Sequence, residues 1–118
     1  MPDAAYLNIL PHTNCVLGHV TCEKVGAREA QILEHELRVA GEKHTKRWRI
    51  LLDLRDVTVL ASMGLGALVS LHKTCNQEGG KLVVCGLRED ILQLMKITHL
   101  DRVLKVAPDR EAGMKMVG

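Results

Sequence analysis

The most restrictive feature of this 118-residue chain is an apolar run, Ile50-Leu51-Leu52-Asp53-Leu54, which leads through a short bridge into a helical pattern. A strand that faces solvent on one side alternates apolar and polar residues, and this run does not. The run therefore predicts a central parallel strand that is buried on both faces. Because parallel strands need crossover connections, usually helices, the pattern predicts an α/β fold.

Similar patterns divide the rest of the chain into strands and helices. Two short apolar runs flank the turn-forming cluster Pro11–Asn14 and predict an antiparallel hairpin. Apolar residues at helical spacing predict a first helix ended by Gly41 and a second ended by Gly79-Gly80. The predicted elements are strands at 6–10, 15–20, 50–54, 81–85 and 103–106, and helices at about 24–40, 63–77, after Gly86, and from Asp109 to about 117. The expected architecture is a mixed β-sheet covered by helices, in the order β-β-α-β-α-β-α-β-α, forming one domain over residues 1–118.

Composition excludes several classes of function. Aromatic residues make up 2% of the chain, too few for the stacking surface of a protein that binds single-stranded nucleic acid. The formal net charge of +2 gives no reason to expect direct contact with nucleic acid or with a membrane. No apolar stretch approaches the roughly 20 residues of a transmembrane helix, so we expect no membrane insertion and a cytoplasmic protein.

The four cysteines, Cys15, Cys22, Cys75 and Cys85, lack the C-x-x-C spacing of redox motifs and the paired spacing of zinc sites. We expect them to be buried apolar residues. The sets Cys15-His19-Cys22 and His72-Cys75 are weaker metal candidates. Neither Ser70 nor Cys85 lies in a recognisable nucleophile–base motif. We therefore expect no catalytic residue, no metal and no cofactor.

The stretch Ala61-Ser62-Met63-Gly64-Leu65-Gly66, after the strand that ends in Asp53-Leu54, resembles the signature of the STAS domain family of anti-sigma factor antagonists. In that family a hydrophobic-Asp-Leu strand leads into Asp-Ser-Ser-Gly-Leu-Gly. The resemblance spans nearly the whole chain. It includes Gly18 as the end of the second strand, and Thr98-His99-Leu100-Asp101, in which His99 replaces a glycine.

The resemblance implies a phosphorylation switch that this loop retains only in part. In the family, a serine at the helix start is phosphorylated by an anti-sigma factor kinase with a GHKL-type ATPase fold, assisted by a preceding aspartate. The acceptor position is here Met63, which cannot accept phosphate, and the aspartate position is Ala61. Ser62 remains as a candidate phosphoacceptor, although its expected role is the helix N-cap. Thr21 occupies the place of a second family acid.

The same helix start is the expected binding surface. Ala61, Met63 and Leu65 are expected to form an apolar patch, with packing of Met63 into the core as the alternative. The expected partner-binding residues are Ala61, Ser62, Met63, Gly64, Leu65 and Thr21. The resemblance implies a non-catalytic regulator that binds an anti-sigma factor (a GHKL-type serine kinase) or a related regulatory protein.

Three alternatives are open. Within the same fold, the chain is an accessory subunit of a lipid-transport ABC system. In a second class, Asp53 is the phosphoacceptor of a response-regulator receiver domain, although no acidic pair follows the first predicted strand. The basic segment Lys43–Arg49 suggests contact with phosphates, and a solvated loop explains it equally well.

Overall fold

The structure, a computed structural model, describes residues 6–12, 15–44 and 48–117. Its strands are β1 (Leu7–Pro11), β2 (Val16–Val20), β3 (Lys24–Val25), β4 (Arg49–Asp53), β5 (Val59–Leu60), β6 (Lys81–Cys85) and β7 (Lys105–Ala107). Its helices are α1 (Ala27–His44), α2 (Ser62–Gln77), α3 (Glu89–Ile97) and α4 (Arg110–Val117), with a 3₁₀ turn at Leu100–Arg102. Thr13 and Asn14 of the predicted hairpin turn, and residues 45–47 of the basic segment, lie outside the described residues.

A five-stranded mixed sheet with the order β1-β2-β4-β6-β7 forms the centre of the domain. β1 is antiparallel to β2, and all other neighbours in this sheet are parallel. In β4, both Ile50 and Leu51 are 0% exposed although they point to opposite faces. The predicted mixed sheet, its hairpin and its buried central strand are therefore confirmed.

Helices cover the two faces of the sheet unequally. The parallel strands β2, β4, β6 and β7 have the same order in the chain and in the sheet. Right-handed crossovers between them therefore place α1, α2 and α3 on one face. The larger apolar core lies between these helices and sheet residues such as Leu52. Helix α4 covers the other face, where the smaller core includes Leu51 and Cys85.

Helix α1 starts later and ends later than the sequence pattern predicts. Lys24 and Val25 were expected in the helix but form β3, because they pair with the parallel strand β5. Gly41 was expected to end the helix but lies inside it and is buried. A Cβ atom on Gly41 would lie 2.9 Å from Cε3 of Trp48, so this glycine permits close packing rather than a helix end.

Two further boundaries differ from the prediction. Gly18, expected to end the second strand, lies in the middle of β2, where a Cβ would be 2.9 Å from Cδ2 of Leu37 in α1. The last strand begins at Lys105 rather than Val103, because the 3₁₀ turn holds the preceding chain and Leu104 N–H donates to the Leu100 carbonyl at 2.8 Å.

The predicted C-terminal end of α2 and the predicted start of α4 are confirmed. Gly79 follows α2 with a φ of +82°, a left-handed conformation that glycine adopts without steric cost. Asp109 Oδ1 accepts a 2.8 Å hydrogen bond from Ala112 N–H and so caps α4. None of the helices in the described ranges combines the length and apolar character that a bilayer crossing requires.

Candidate functional site

The loop between β4 and α2 is held by a small second sheet. β5 pairs in parallel with β3, with Lys24 opposite Val59 and Val25 opposite Leu60. Thr58 N–H donates to the Glu23 carbonyl at 2.8 Å, and Ala61 N–H donates to the Val25 carbonyl at 3.0 Å. These backbone hydrogen bonds fix the direction in which the chain enters α2.

Sequence reasoning missed this small sheet because each strand has two residues, too few to show a period of two. The pair Val59-Leu60, which follows the polar residue Thr58, carried the available signal.

The predicted N-cap role of Ser62 is wrong. Ala61 is the N-cap, with φ −75° and ψ 167°, and no side chain donates or accepts a capping hydrogen bond there. The Ala61 carbonyl accepts the hydrogen bond from Leu65 N–H at 3.1 Å, which makes Ser62 the first helical residue. Ser62 is exposed, and the first turn of α2 contains no acidic residue.

The side chains of the first turn divide between solvent and core. Met63 is 54% exposed, so packing of this side chain into the core is excluded. Leu65 is 9% exposed and belongs to the larger core. The expected apolar patch of Ala61, Met63 and Leu65 is therefore wrong for Leu65, because residues two apart point to different sides of a helix.

Gly64 is the point at which α2 rests on the small sheet. It is buried, and a Cβ there would lie 2.6 Å from Cδ1 of Leu60 and 3.1 Å from Cγ1 of Val25. The glycine thus allows α2 to approach the loop closely. Gly64 therefore helps to fix the positions of Ser62 and Met63, whose side chains are exposed.

Next to Met63, the first halves of α1 and α2 form an open groove of about 190 Å³. The residues that line it are Ala30, Gln31, Glu34, Ser62, Met63, Gly66 and Ala67. We call this surface the α1/α2 groove. Small residues on both helices keep it open, and sequence periodicity did not predict it.

Gly66 has no structural reason to be glycine. It lies inside α2, is exposed, and a Cβ there would meet no atom within 4 Å. Glycine inside a helix is about 1 kcal/mol less stable than alanine. The residue therefore lowers helix stability at the groove without any compensating contact inside the domain.

A polar network closes the groove toward the C-terminal half of α2. Glu34 Oε2 accepts hydrogen bonds from Arg38 Nη2 at 2.9 Å and from Ser70 Oγ at 3.0 Å. Arg38 Nη2 also donates to Ser70 Oγ at 3.1 Å. Because the Ser70 hydroxyl lies between a carboxylate and a guanidinium, it bridges α1 and α2 rather than being activated as a nucleophile.

Thr21 lies in the connection between β2 and β3. It follows β2, is half-buried, and its N–H donates to the Tyr6 carbonyl at 2.9 Å. It lies at the edge of the sheet where the parallel strands end, as does the β4–α2 loop. Its role in partner binding stays a prediction.

Asp53, the residue expected at the end of the central strand, is held in a structural ion pair. It is 2% exposed, and its Oδ2 accepts hydrogen bonds from Arg110 Nε at 3.2 Å and Nη2 at 3.0 Å. Its Oδ1 accepts a hydrogen bond from Arg55 N–H at 3.0 Å. Both carboxylate oxygens are therefore occupied, which argues against a phosphoacceptor role for Asp53.

The cysteines lie in environments that suppress their reactivity. Burial raises the pKa of Cys75 and that of Cys85 to about 12, and the nearby Asp53 carboxylate acts in the same direction on Cys85. Burial also raises the pKa of Cys15 and of Cys22. Thiols with raised pKa values are poor nucleophiles at neutral pH.

The candidate metal set Cys15-His19-Cys22 is not assembled. Over residues 6–12, 15–44 and 48–117, no group of three or more His, Cys, Asp or Glu side chains is placed to hold a metal ion. Cys15 instead contacts Met114, with 3.9 Å between the two sulfur atoms. His19 Nε2 lies 2.7 Å from Asp56 Oδ2.

Comparison with known proteins gives the family of this fold. The sequence pattern of the STAS domain matches residues 13–113. A Bordetella bronchiseptica protein named "Putative anti-sigma factor antagonist BtrV" is 31% identical over 88 residues, which span 75% of this chain and 74% of that protein. The anti-sigma-B factor antagonist of Bacillus subtilis is 32% identical over 62 residues, or 52% of this chain and 57% of that protein.

Solved structures agree with this fold. The crystal structure of an anti-sigma factor antagonist from Mycobacterium paratuberculosis superposes with a TM-score of 0.81, at 18% identity, over 94% of this chain and 92% of that one. At this identity the match establishes the fold alone.

Proposed function

This chain belongs to the STAS domain family, and on that premise we propose that it is a non-catalytic protein-binding regulator of the anti-sigma factor antagonist type. Relatives carry that name. We place its action in the cytoplasm. Its partner is an anti-sigma factor of the GHKL serine-kinase type or a related regulatory protein.

The exposure of Met63 is the observation that carries the proposal. A large apolar side chain that is 54% exposed at the start of a helix is available for contact with another protein. The α1/α2 groove lies directly beside it, and Met63 forms part of its wall. Gly66 is further evidence for binding at the α1/α2 groove. It weakens the helix and keeps the groove open, and no contact inside the domain explains why a glycine stands there.

We further propose that control of this regulator does not use phosphate at the usual helix position. The thioether of Met63 has no oxygen to accept a phosphoryl group. The first turn of a helix carries N–H groups without partners inside the helix and the positive end of the helix dipole, so the start of α2 would favour an added anion. Ser62 is exposed beside it, so recovery of a Ser62 phosphopeptide from the native cell would contradict regulation without phosphorylation.

The test is capture of partners from native cytosol with the wild-type domain and with Met63→Glu as baits. We expect an anti-sigma factor to be identified by mass spectrometry with wild type, and its affinity to fall about tenfold or more with Met63→Glu, because a carboxylate replaces an apolar contact. Lys73→Glu is the control, since Lys73 is exposed on the same helix farther from the groove. Equal loss with both variants would contradict the assignment of the surface.

Gly66 gives a second variant that separates binding from folding. Gly66→Ala is expected to raise the free energy of unfolding by about 1 kcal/mol, since alanine favours the helix. The same change narrows the groove and is expected to weaken capture of the partner. Capture of a transporter ATPase instead of an anti-sigma factor would support the alternative of a lipid-transport accessory subunit.

A further inference from the structure

The four helices of the described residues end at the same end of the domain, which we call the basic pole. α1, α2 and α3 each lead into a parallel strand of the sheet, so their C-terminal ends lie where β4, β6 and β7 begin. The end of α4 lies there too, because Lys81 Nζ, on the first residue of β6, donates to the Met116 carbonyl at 3.0 Å. This pole lies opposite the start of α2 and the α1/α2 groove.

Positive charge dominates the exposed side chains of the basic pole. Among the described residues, its exposed cations are Lys43, Lys73, Lys96, Arg102, Lys105 and Lys115. The exposed carboxylates at this end are Glu42, Glu78 and Asp101. The exposed side chains of the pole therefore include six cations and three carboxylates, although the whole chain has a formal net charge of +2.

Two aliphatic side chains project from the same pole. Ile97, the last residue of α3, is 74% exposed, and Val103 is 44% exposed. Each follows an exposed cation directly in the sequence, Lys96 before Ile97 and Arg102 before Val103. The pole therefore pairs protruding apolar groups with positive charge at two places along one connection.

We propose that the basic pole docks on a negatively charged lipid surface, with Ile97 and Val103 pressed into the headgroup layer. Cations beside exposed aliphatic side chains are the combination that binds such surfaces, because the cations attract lipid phosphates while the apolar groups leave water. A protein interface fits less well, since the core of such an interface is depleted of charge. Here charges separate the two apolar groups.

The test is co-sedimentation of the whole domain with two kinds of vesicle. One is made of phosphatidylcholine alone, and in the other about a third of the lipid is phosphatidylserine. We expect binding to the second and not to the first, weakening as salt rises because exposed charges are screened. No binding to phosphatidylserine vesicles at low salt would overturn the proposal.

Paired variants locate the surface. Lys96→Glu/Arg102→Glu is expected to weaken binding at least tenfold, since each cation near such a surface contributes about a fivefold gain in affinity. The control is Arg28→Glu/Arg88→Glu, which makes the same change in net charge with two exposed arginines at the opposite end. Equal weakening by both pairs would mean attraction by net charge alone and would overturn the proposal.

The contribution of the two apolar side chains is tested with a variant that keeps the charge. Ile97→Ser/Val103→Ser is expected to weaken vesicle binding about fivefold or more, because both side chains lose apolar area that leaves water on docking. Soluble polyglutamate serves as a second probe. If it binds as tightly as the vesicles, and the serine pair leaves both affinities unchanged, the pole attracts any polyanion and the lipid assignment fails.

Discussion

His99 holds the backbone in the left-handed region, with φ 61° and ψ 18°, two residues after the end of α3. A side chain in this region costs about 1 kcal/mol relative to glycine. We therefore expect His99→Gly to raise the free energy of unfolding in urea by about 0.5–1 kcal/mol. The control Lys96→Gly puts the same residue inside α3, where we expect a loss of about 1 kcal/mol. A loss of stability in His99→Gly would contradict the assignment of strain.

The Asp53–Arg110 pair is expected to contribute more than the neighbouring Asp53–Arg55 pair. Arg110 bonds a carboxylate that is 2% exposed, so Arg110→Leu leaves a buried charge without its closest partner. We expect a loss of about 2–3 kcal/mol in chemical denaturation. Arg55 is 60% exposed and its Nε lies 3.7 Å from Asp53, so Arg55→Leu should cost less than about 1 kcal/mol. Similar losses for both variants would refute this ranking.

Single residues also show what the sequence can and cannot predict. The position of Asp53 at the end of a buried strand follows from local pattern. Its partner Arg110 lies 57 residues away, and only the folded arrangement brings them together. The left-handed conformation of His99 is likewise not visible in local pattern. The one indication in the sequence is that His99 stands where the family pattern has a glycine.

At the scale of elements, the start of α2 lacks the stabilisation that a capping side chain gives. Ala61 has the extended conformation of an N-cap but no side-chain oxygen. We expect Ala61→Ser to raise the free energy of unfolding by about 1 kcal/mol, because its hydroxyl can accept from a first-turn N–H.

Ser62→Ala is the matched control for this prediction. Ser62 is the first helical residue and makes no capping hydrogen bond, so we expect a change of less than about 0.5 kcal/mol in thermal or urea unfolding. If Ser62→Ala costs as much as Ala61→Ser gains, the cap lies at Ser62 after all.

The existence and order of the main elements could be predicted because continuous apolar runs identify the strands and apolar residues at helical spacing identify the helices. Their ends depend on contacts between elements. Gly41 has the residue type of a helix end, but packing against Trp48 keeps it inside α1. In the site, Met63 was correctly expected at a surface, whereas the α1/α2 groove beside it depends on how two helices pack and was not predicted.

At the scale of the whole molecule, helices cover the two faces of the sheet to different extents. Three helices share the larger core, whereas α4, with 8 residues, covers the smaller one. Cys75 lies in the larger core and Cys85 in the smaller core, and both are 0% exposed. These two thiols therefore report separately on the two layers.

Gly113 determines how closely α4 approaches the sheet, since a Cβ there would lie 2.5 Å from Cδ1 of Leu51. We expect Gly113→Val to displace α4, lower the free energy of unfolding by about 1–3 kcal/mol, and expose Cys85. Exposure removes the burial that raises the pKa of Cys85 to about 12, so the thiolate fraction of Cys85 at pH 8 increases. We expect its alkylation, followed by mass spectrometry, to become about tenfold faster or more.

Cys75, on the opposite face, is expected to keep its slow rate of alkylation. Glu111→Val, an exposed position of the same helix, leaves both rates unchanged. Equal acceleration at Cys75 and Cys85 would mean that the domain opens as one unit and that α4 is not a separable layer.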